Sequence, residues 1–244
     1  MKWKVIGMPE KFTKLDKEFL DNYDSSTYDK PSITVDLLVF TFEEEELKIV
    51  MIRRKNSPYR GMLSLPGAFV GMEETLDEAA SRGIREKTGL KDIYFEQLYT
   101  WGEVNRDPRM RIISVSYMAL VSIEELYRAA GSSEISSHLY CVDTLLQSKE
   151  NIAFDHMEMI AYGRERIKNK VEYTQLAFEF LPEKFTLPQL QKINEILLGK
   201  ELYKANFRKK IKDMVVETKE FTSGGAHRPS KLYVRKNNND NIEN

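Results

Sequence analysis

The sequence predicts an α+β protein in which a strand-rich region is followed by a small domain of two helices and a β-hairpin. Two apolar runs, 33–42 and 47–54, flank a charged turn and predict a first hairpin. The segment from Thr75 to Gly89 predicts a helix, because apolar or small residues recur at helical spacing and a capping box opens it. Near the C-terminus, two closely spaced helical patterns precede two short strands.

Length and composition limit the class of protein. The chain has 244 residues, of which 41% are hydrophobic, so one large or two modest domains can bury a core. A single cysteine, Cys141, excludes an intramolecular disulfide framework and fits a reducing compartment. The sequence shows neither a signal peptide nor an apolar run that would span a bilayer. We therefore expect a cytoplasmic protein without a membrane partner.

Charge is distributed unevenly along the chain. The formal net charge is −1, but residues 185–236 carry 12 Lys or Arg and 5 Asp or Glu, a net of +7. The remainder therefore carries −8. A basic module joined to an acidic one indicates that the two modules have different functions, and nucleic acid is the expected partner of the basic module.

The middle of the chain predicts further strands and helices. Residues 92–104 and 111–121 are expected to be strands, separated by a polar turn that runs from Asn105 to Arg109. A helix and loop follow over 122–137, then a short strand and a helix over 157–168. Asp155 suits the N-cap of that last helix. His156 beside it is either a general base or, more simply, a structural residue.

Residues 65–90 read LPGAFVGMEETLDEAASRGIREKTGL and resemble the Nudix box. That box runs Gly, five residues, Glu, seven residues, Arg-Glu, an aliphatic residue, any residue, Glu-Glu, any residue, Gly and an aliphatic residue. In this register the matching residues are Glu74, Arg82, Ile84, Glu86, Gly89 and Leu90. Ala68, Gly83 and Lys87 depart from it. The resemblance implies an α/β/α sandwich with a mixed sheet.

The departures fall on the residues that carry the chemistry of active Nudix hydrolases. In those enzymes three glutamates at i, i+3 and i+4 face Mg²⁺ or Mn²⁺, which neutralises a pyrophosphate and activates water. Here the same positions hold Gly83, Glu86 and Lys87. We expect no catalytic residue in the degenerate box of Glu74, Arg82 and Glu86, and no bound metal, with Glu86 as a weak candidate ligand. No cofactor is expected to be required, and Mg²⁺ or Mn²⁺ would matter only in an active hydrolase.

Several arginines and one tryptophan are candidates for binding a small molecule. Arg53 and Arg54 end the second predicted strand, which borders the substrate pocket in Nudix folds, and a guanidinium suits a diphosphate. The polar turn between the next two strands is expected to place Trp101, Arg106, Asp107 and Arg109 on a rim. The segment YTWGEVNRDPR also resembles the corresponding part of ADP-ribose-type Nudix proteins. Trp101 would either stack on a base or pack in the core.

The C-terminal segment has a helix-turn-helix pattern followed by a wing. After a boundary near Pro182, a capping box predicts a helix that ends at Gly199, and a second helix spans 203–213. That second helix turns a basic face away from its apolar face. The loop 222–230 between the last two strands is basic. The predicted DNA-binding residues are Lys204, Asn206, Arg208, Lys209, Lys212, His227 and Arg228.

Together the two halves resemble the Nudix-related, NrtR-like transcriptional regulators. The motifs that carry this resemblance are LPGAFV, the degenerate box, RDPR, FDH and FTLPQLQ…ILLG…NFRKK. It implies an N-terminal extension (1–30), a Nudix-like ligand-sensing domain (31–181), a winged-helix DNA-binding domain (182–236) and a tail (237–244) that is expected to be disordered. The implied partners are palindromic operator DNA, a second copy in a homodimer, and an ADP-ribose-like nucleotide or a sugar.

Three functional interpretations stay open at this stage. The first interpretation is a ligand-responsive regulator, a repressor, whose Nudix domain is not catalytic. The rival is a metal-dependent Nudix hydrolase that cleaves ADP-ribose or a related nucleoside diphosphate. A third possibility is a regulator that senses a sugar and has no affinity for nucleotides.

Overall fold

A computed structural model describes residues 12–91, 93–130, 137–148, 151–222 and 229–236. Two predicted features lie outside these ranges, namely the wing tip with His227 and Arg228 and the tail 237–244. Contacts divide the chain into Met1–Pro31 and Ser32–Asn244. The described part of the first unit contains the α-helix α1 (Lys14–Asn22), which opens on a capping box between Thr13 and Asp16, and a short 3-10 helix (Ser25–Thr27).

The second unit contains the remaining helices and all of the described strands. The strands are β1 (Ser32–Glu43), β2 (Glu46–Arg53), β3 (Leu63–Ser64), β4 (Gly67–Phe69), β5 (Tyr94–Trp101), β6 (Ile112–Leu120), β7 (Ser137–Cys141), β8 (Val215–Phe221) and β9 (Lys231–Arg235). The helices are α2 (Leu76–Thr88), α3 (Ile123–Ala130), α4 (Val142–Gln147), α5 (His156–Val171), α6 (Leu187–Leu198) and α7 (Lys204–Ile211). In the described part of the chain no helix is long and apolar enough to cross a membrane.

Strands β1 to β7 form one mixed sheet. Its main order is β3-β2-β1-β6-β5, with β4 added to β1 and β7 added to β2. Strands β1 and β2 form the predicted hairpin, in which Glu43 pairs with Glu46. The central strands β1 and β6 run parallel, whereas the other pairs are antiparallel. Because β1 lies at the centre of the sheet, its side chains contribute to the buried core on both faces.

Both faces of the sheet are covered by helices. Along β1, Val35 and Leu37 belong to a cluster with α2 and α3, whereas Leu38 and Phe40 belong to a cluster with α5. Side chains therefore alternate between the layers with the period of two expected for a strand. This arrangement confirms the predicted α+β class and its α/β/α sandwich. Asp36 is a buried charge in this otherwise apolar strand.

The helix of the box, α2, has the predicted bounds. Thr75 and Glu78 form the capping box, and Gly89 ends the helix with φ 76°. Gly83 faces the sheet, where an added Cβ would lie 3.0 Å from Leu37 Cδ1. A larger residue at position 83 would therefore require Leu37 to move.

The C-terminal domain is the predicted winged helix-turn-helix. Thr186 and Gln189 form a capping box at α6, and Gly199 ends that helix with φ 67°. Helix α7 ends at Ile211, two residues before the predicted end, and β8 and β9 form the antiparallel wing hairpin. Leu190 and Phe207 lie in the same cluster as Leu38 of the sheet, so the apolar core continues past Pro182.

The acidic turn after β1 contacts basic groups, while Glu44 and Glu45 remain largely exposed to solvent. Lys48 contacts Glu43 at 2.9 Å and Glu44 at 2.6 Å, and Glu45 contacts Lys192 of α6 at 2.9 Å. Glu43 and Glu44 meet Lys48 within the hairpin, whereas Glu45 reaches Lys192 because the β1–β2 turn projects toward α6. The turn therefore connects the sheet to the winged-helix domain.

Candidate functional site

A cavity of about 170 Å³ opens where the box loop meets the start of α5. Six segments form it: β1, the end of β2, the region from β3 to β4, the loop after β5, the start of β6, and the residues around the start of α5. Its lining comprises Thr34, Asp36, Ile52, Arg54, Ser64, Leu65, Gly67, Ala68, Phe69, Arg106, Asp107, Arg109, Ile112, Phe154 and His156. Charged groups of both signs therefore face a small space.

Arg106 is held inside the cavity wall by two carboxylates. Its Nε and Nη2 donate hydrogen bonds to Asp155, at 2.8 and 2.7 Å, and Nη2 also lies 3.4 Å from Asp36 Oδ2. Ser114 Oγ donates to the same Asp36 oxygen at 2.5 Å. Burial lowers the pKa of Arg106, but Asp155 and Asp36 outweigh burial and raise that pKa above its ordinary value. The sequence predicted Arg106 on a rim, whereas the structure buries it in the wall of the cavity that it lines.

His156 ties the box loop to α5. The backbone N–H of Leu65 donates to His156 Nδ1 at 2.9 Å, so the proton of the neutral ring is assigned to Nε2, which lies 3.6 Å from Asp36 Oδ1. Burial lowers the pKa of His156 below its ordinary value. The lone pair of Nδ1 is thus already used. This geometry favours the structural interpretation of His156 over the general-base interpretation.

Arg54 and Arg109 converge on the ring of Phe154. The Cζ atom of Arg54 lies 4.7 Å from the ring centroid, and that of Arg109 lies 5.8 Å from it. Burial, and then the charge of Arg109, lowers the pKa of Arg54. Phe154 itself adopts a left-handed backbone conformation with φ 57°, which a bulky residue rarely takes. Such strain persists where neighbouring contacts hold it in place.

The two arginines have different partners. Arg109 Nε and Nη2 donate to Asp107 at 2.9 and 2.7 Å. Arg54 Nε donates to the carbonyl of Pro58 at 2.8 Å. Within the described ranges no carboxylate lies within 4 Å of the Arg54 guanidinium. The half-buried charge of Arg54 is therefore open to an anion in the cavity.

Two other predicted binders lie outside the cavity. Arg53 is exposed, and its Nη1 donates to the carbonyl of Gly61 at 2.7 Å. Trp101 Nε1 donates to Ser116 Oγ at 2.9 Å, and its ring packs against Tyr99 and Tyr162. The sequence allowed Trp101 either to stack on a base or to pack in the core, and its position corresponds to packing. The structure instead brings Asp36, Phe154 and His156 together with Arg54, Arg106 and Arg109.

The residues of the box do not fit a divalent cation. Arg82 Nε and Nη2 bind Glu74 at 2.9 and 2.6 Å, and this contact and the Gly71 N–H hold the pKa of Glu74 at about 2. Glu86 is half exposed and lies 3.5 Å from Arg82. Gly83 supplies no ligand, and Lys87 would repel a cation. Among the residues that the structure places, no three His, Cys, Asp or Glu side chains form a metal-binding group.

Helix α7 displays most of the predicted DNA-binding residues. Its buried face consists of Phe207 and Ile211, and the side chains of Lys204, Asn206, Arg208, Lys209 and Lys212 are exposed. Lys204 and Arg208 also line a groove of about 680 Å³ beside the acidic β1–β2 turn. His227 and Arg228 of the wing tip lie outside the described residues. The described surface of α7 is therefore exposed and basic.

Both parts of the chain match known families. The model of the NrtR DNA-binding winged helix domain matches residues 177–234, and that of the NUDIX domain matches residues 30–162. An ADPR responsive transcriptional repressor of Acinetobacter baylyi is 36% identical over 89% of this chain and 87% of its own length. An ADP-ribose pyrophosphatase of Methanocaldococcus jannaschii is 35% identical over 54% of this chain and 73% of its own.

Solved structures match the same two parts. The crystal structure of Shewanella oneidensis NrtR with a 27mer DNA superimposes with a TM-score of 0.76 and 33% identity, covering 84% of this chain and 93% of that one. The NUDIX domain of the same protein with ADP ribose gives a TM-score of 0.53 and 34% identity, covering 64% of this chain and 99% of that domain.

Proposed function

Because this chain belongs to the NrtR family of transcriptional regulators, we propose that it represses transcription and that ADP-ribose, bound in its Nudix domain, controls its affinity for operator DNA. The winged helix binds DNA, and the Nudix domain senses a small molecule. ADP-ribose is the proposed effector because a relative is ADPR-responsive and the NUDIX domain of another is complexed with ADP ribose.

The observation that carries the proposed effector is the half-buried guanidinium of Arg54. It faces the cavity without a carboxylate within 4 Å among the described residues, and burial lowers its pKa. A diphosphate would supply the missing negative charge, and a guanidinium binds phosphate oxygens in pairs. Arg109 lies beside it over the same ring. A neutral sugar would leave this charge uncompensated, so the cavity favours an anionic effector.

The size of the cavity fits part of the effector. Its volume of about 170 Å³ is smaller than the roughly 300–1,000 Å³ of clefts that enclose a drug-sized ligand. We infer that the diphosphate occupies the cavity and that the rest of the ligand extends past the exposed Phe69 at its edge.

We further propose that the Nudix domain senses its ligand without hydrolysing it. Active relatives need carboxylates at the three metal positions, whereas this chain offers Gly83, Glu86 and Lys87. Glu74 is already bound to Arg82. The bound state therefore requires neither a metal nor another cofactor. The alternative, a hydrolase of the ADP-ribose pyrophosphatase kind, would need a different set of carboxylates.

The DNA-bound form is proposed to be a homodimer on a palindromic operator. Each chain presents one exposed basic helix, α7, so two copies would place two such helices in successive major grooves. Lys209 and Arg208 would contact the duplex from that helix. Sedimentation of the protein with and without DNA measures this stoichiometry, and one chain per duplex would contradict it.

Calorimetric titration with ADP-ribose tests the effector, with Mg²⁺ present and the products assayed afterwards. We expect binding without turnover. The Arg54→Met variant should bind ADP-ribose at least about tenfold more weakly, which corresponds to about 1.4 kcal/mol. Arg60→Met is the matched control, because Arg60 is exposed on the same loop and does not line the cavity.

Three outcomes of this titration would count against the proposal. Release of AMP or ribose phosphate would establish a hydrolase and overturn the non-catalytic Nudix domain. Binding of free sugars but not ADP-ribose would establish a sugar sensor. Equal affinities of the Arg54→Met and Arg60→Met variants would place the effector away from this cavity.

A further inference from the structure

Helix α5 begins in the effector cavity. Two residues directly precede it: Phe154 contacts Arg54, and Asp155 contacts Arg106. Its first residue, His156, accepts a hydrogen bond from the Leu65 N–H. A ligand that binds Arg54 and Arg109 therefore changes the contacts of the ring that precedes this helix. The left-handed conformation of Phe154 marks the point where the chain is held under strain.

The middle of α5 packs closely on the central strand. A Cβ added at Gly163 would lie 2.7 Å from Leu38 Cδ2 and 3.1 Å from Phe40 Cζ. Such close contact leaves the helix little room to approach the sheet. A displacement of its first turn is therefore expected to pass to its far end, because a packed helix moves as a unit.

The far half of α5 contacts both helices of the winged-helix domain through hydrogen bonds. Arg164 Nη1 and Nη2 donate to the carbonyls of Leu197 and Ile196 at the end of α6, at 2.9 and 3.2 Å. Lys210 Nζ, on α7, donates at 3.0 Å to the carbonyl of Glu172, which caps the C-terminus of α5. These bonds connect the effector-side helix directly to the DNA-binding helix.

The hydrogen bond between Lys210 and Glu172 lies beside a groove. The groove has a volume of about 450 Å³ and is lined by residues that include Glu172, Asn206 and Lys210. Space next to a helix leaves room for two positions of α7, whereas a close-packed core does not. The Lys210 bond then links the position of α7 to that of α5.

We propose that α5 transmits effector binding to the DNA-binding helix, and that Lys210 is the positioning residue through which α7 follows it. The inference rests on the proposed function and adds the route of coupling. Lys210 lies on the side of α7 that faces α5. It thus differs in role from Lys209, which points away from the domain core.

The test compares three variants by their response to ADP-ribose. Lys210→Met removes the bond to Glu172, whereas Lys210→Arg keeps a cationic donor. Lys168→Met is the control, because Lys168 is exposed on α5 and makes no hydrogen bond to α6 or α7 within the described ranges. The DNA probe is the duplex that the wild-type chain selects from a random pool, and affinity is measured with and without saturating ADP-ribose.

The readout is the coupling factor, the ratio of the two DNA dissociation constants within each variant. Any direct loss of DNA affinity at position 210 cancels in this ratio. Wild-type factors in coupled systems are about 5 to 150, and we expect Lys210→Met to lower the factor at least about threefold. Its affinity for ADP-ribose alone should stay within about twofold of wild type, since the cavity is untouched. Lys210→Arg and Lys168→Met should keep the wild-type factor.

Each result decides between the two proposals. A wild-type factor of one would overturn the proposed function itself. If the wild-type coupling factor exceeds one and the Lys210→Met variant has the same factor, only the route through Lys210 is overturned. The proposed response to the effector then still stands. Reciprocity gives an independent check, because DNA must change the affinity for ADP-ribose by the same factor in every variant.

Discussion

The guanidinium of Arg106 donates two hydrogen bonds to the carboxylate of Asp155, 2.8 and 2.7 Å long, which join the loop after β5 to the residue that precedes α5. Asp155 occupies the N-cap position predicted for it, but its side chain makes no capping hydrogen bond. Its carboxylate accepts hydrogen bonds from the buried Arg106 instead. The pair therefore holds the cavity wall together.

Replacing Asp155 by alanine is expected to destabilise the protein markedly. Arg106 would stay buried with only the 3.4 Å contact to Asp36, and removing one partner of a buried pair costs about 3–5 kcal/mol. Urea unfolding followed by circular dichroism measures the change. Glu220→Ala is the control, because its bridge to Lys184 is exposed and such pairs contribute about 0–1 kcal/mol. Equal losses in the two variants would contradict a buried role for Asp155.

The stability of the protein should fall as the pH drops below about 6.5, in part because of His156. Burial lowers the pKa of this histidine in the fold below its ordinary value of 6.5. Below that pH the unfolded chain takes up a proton that the folded chain excludes, so the free energy of unfolding decreases. One proton changes it by at most about 1.4 kcal/mol per pH unit.

The His156→Gln variant isolates this contribution, since glutamine offers an acceptor oxygen to Leu65 but does not titrate. Urea unfolding between pH 7 and 5 should show a shallower decrease for the variant than for wild type. Parallel pH profiles would mean that His156 is protonated equally in the folded and unfolded states.

Gly83 and Leu37 should be energetically coupled. In a helix, Gly→Ala gains about 1 kcal/mol from conformational propensity. At position 83 the contact with Leu37 Cδ1, 3.0 Å from the added Cβ, is expected to offset that gain. In the Leu37→Val background, which lacks the Cδ atoms, the gain should reappear. A double-mutant cycle of unfolding free energies should give an interaction of about 0.5–2 kcal/mol, and strict additivity would refute it.

Lys209 should contribute to DNA affinity through a phosphate contact. It is exposed on α7, on the side opposite the buried Phe207. Fluorescence anisotropy at several salt concentrations should show that Lys209→Ala lowers affinity and reduces the slope of log affinity against log salt by about 0.9. Lys184→Ala, which removes a lysine paired with Glu220, is the comparison. A slope unchanged by Lys209→Ala would remove Lys209 from the DNA contacts.

Local patterns account for most of what sequence analysis predicted. The capping boxes at Thr75 and Thr186 and the helix ends at Gly89 and Gly199 depend on residues within about four positions of one another. The two central strands, β1 and β6, were also predictable, because strands that are buried on both faces form nearly continuous apolar runs in the sequence. The substitutions at the metal-binding positions of the box could be recognised for the same reason, because the box is a short continuous motif.

The cavity was predicted only in part. Arg54 and Arg109 were candidates by their residue type and line it, whereas Trp101 turned out to pack against Tyr99 and Tyr162. Asp36 had one signal in the sequence, a lone charge within an apolar strand. Phe154 had only its place in the FDH motif, and its left-handed backbone was not predictable because it depends on contacts that are distant in the chain.

The sequence by itself determined the class of protein, because helix caps, apolar runs, the degenerate box and the basic second helix are short-range patterns. The tertiary structure alone decided which charges meet. Arg106 reaches Asp155 across 49 residues, and Lys210 reaches Glu172 across 38. Such contacts depend on how the layers pack, and their strength on burial from water, so no local pattern encodes them.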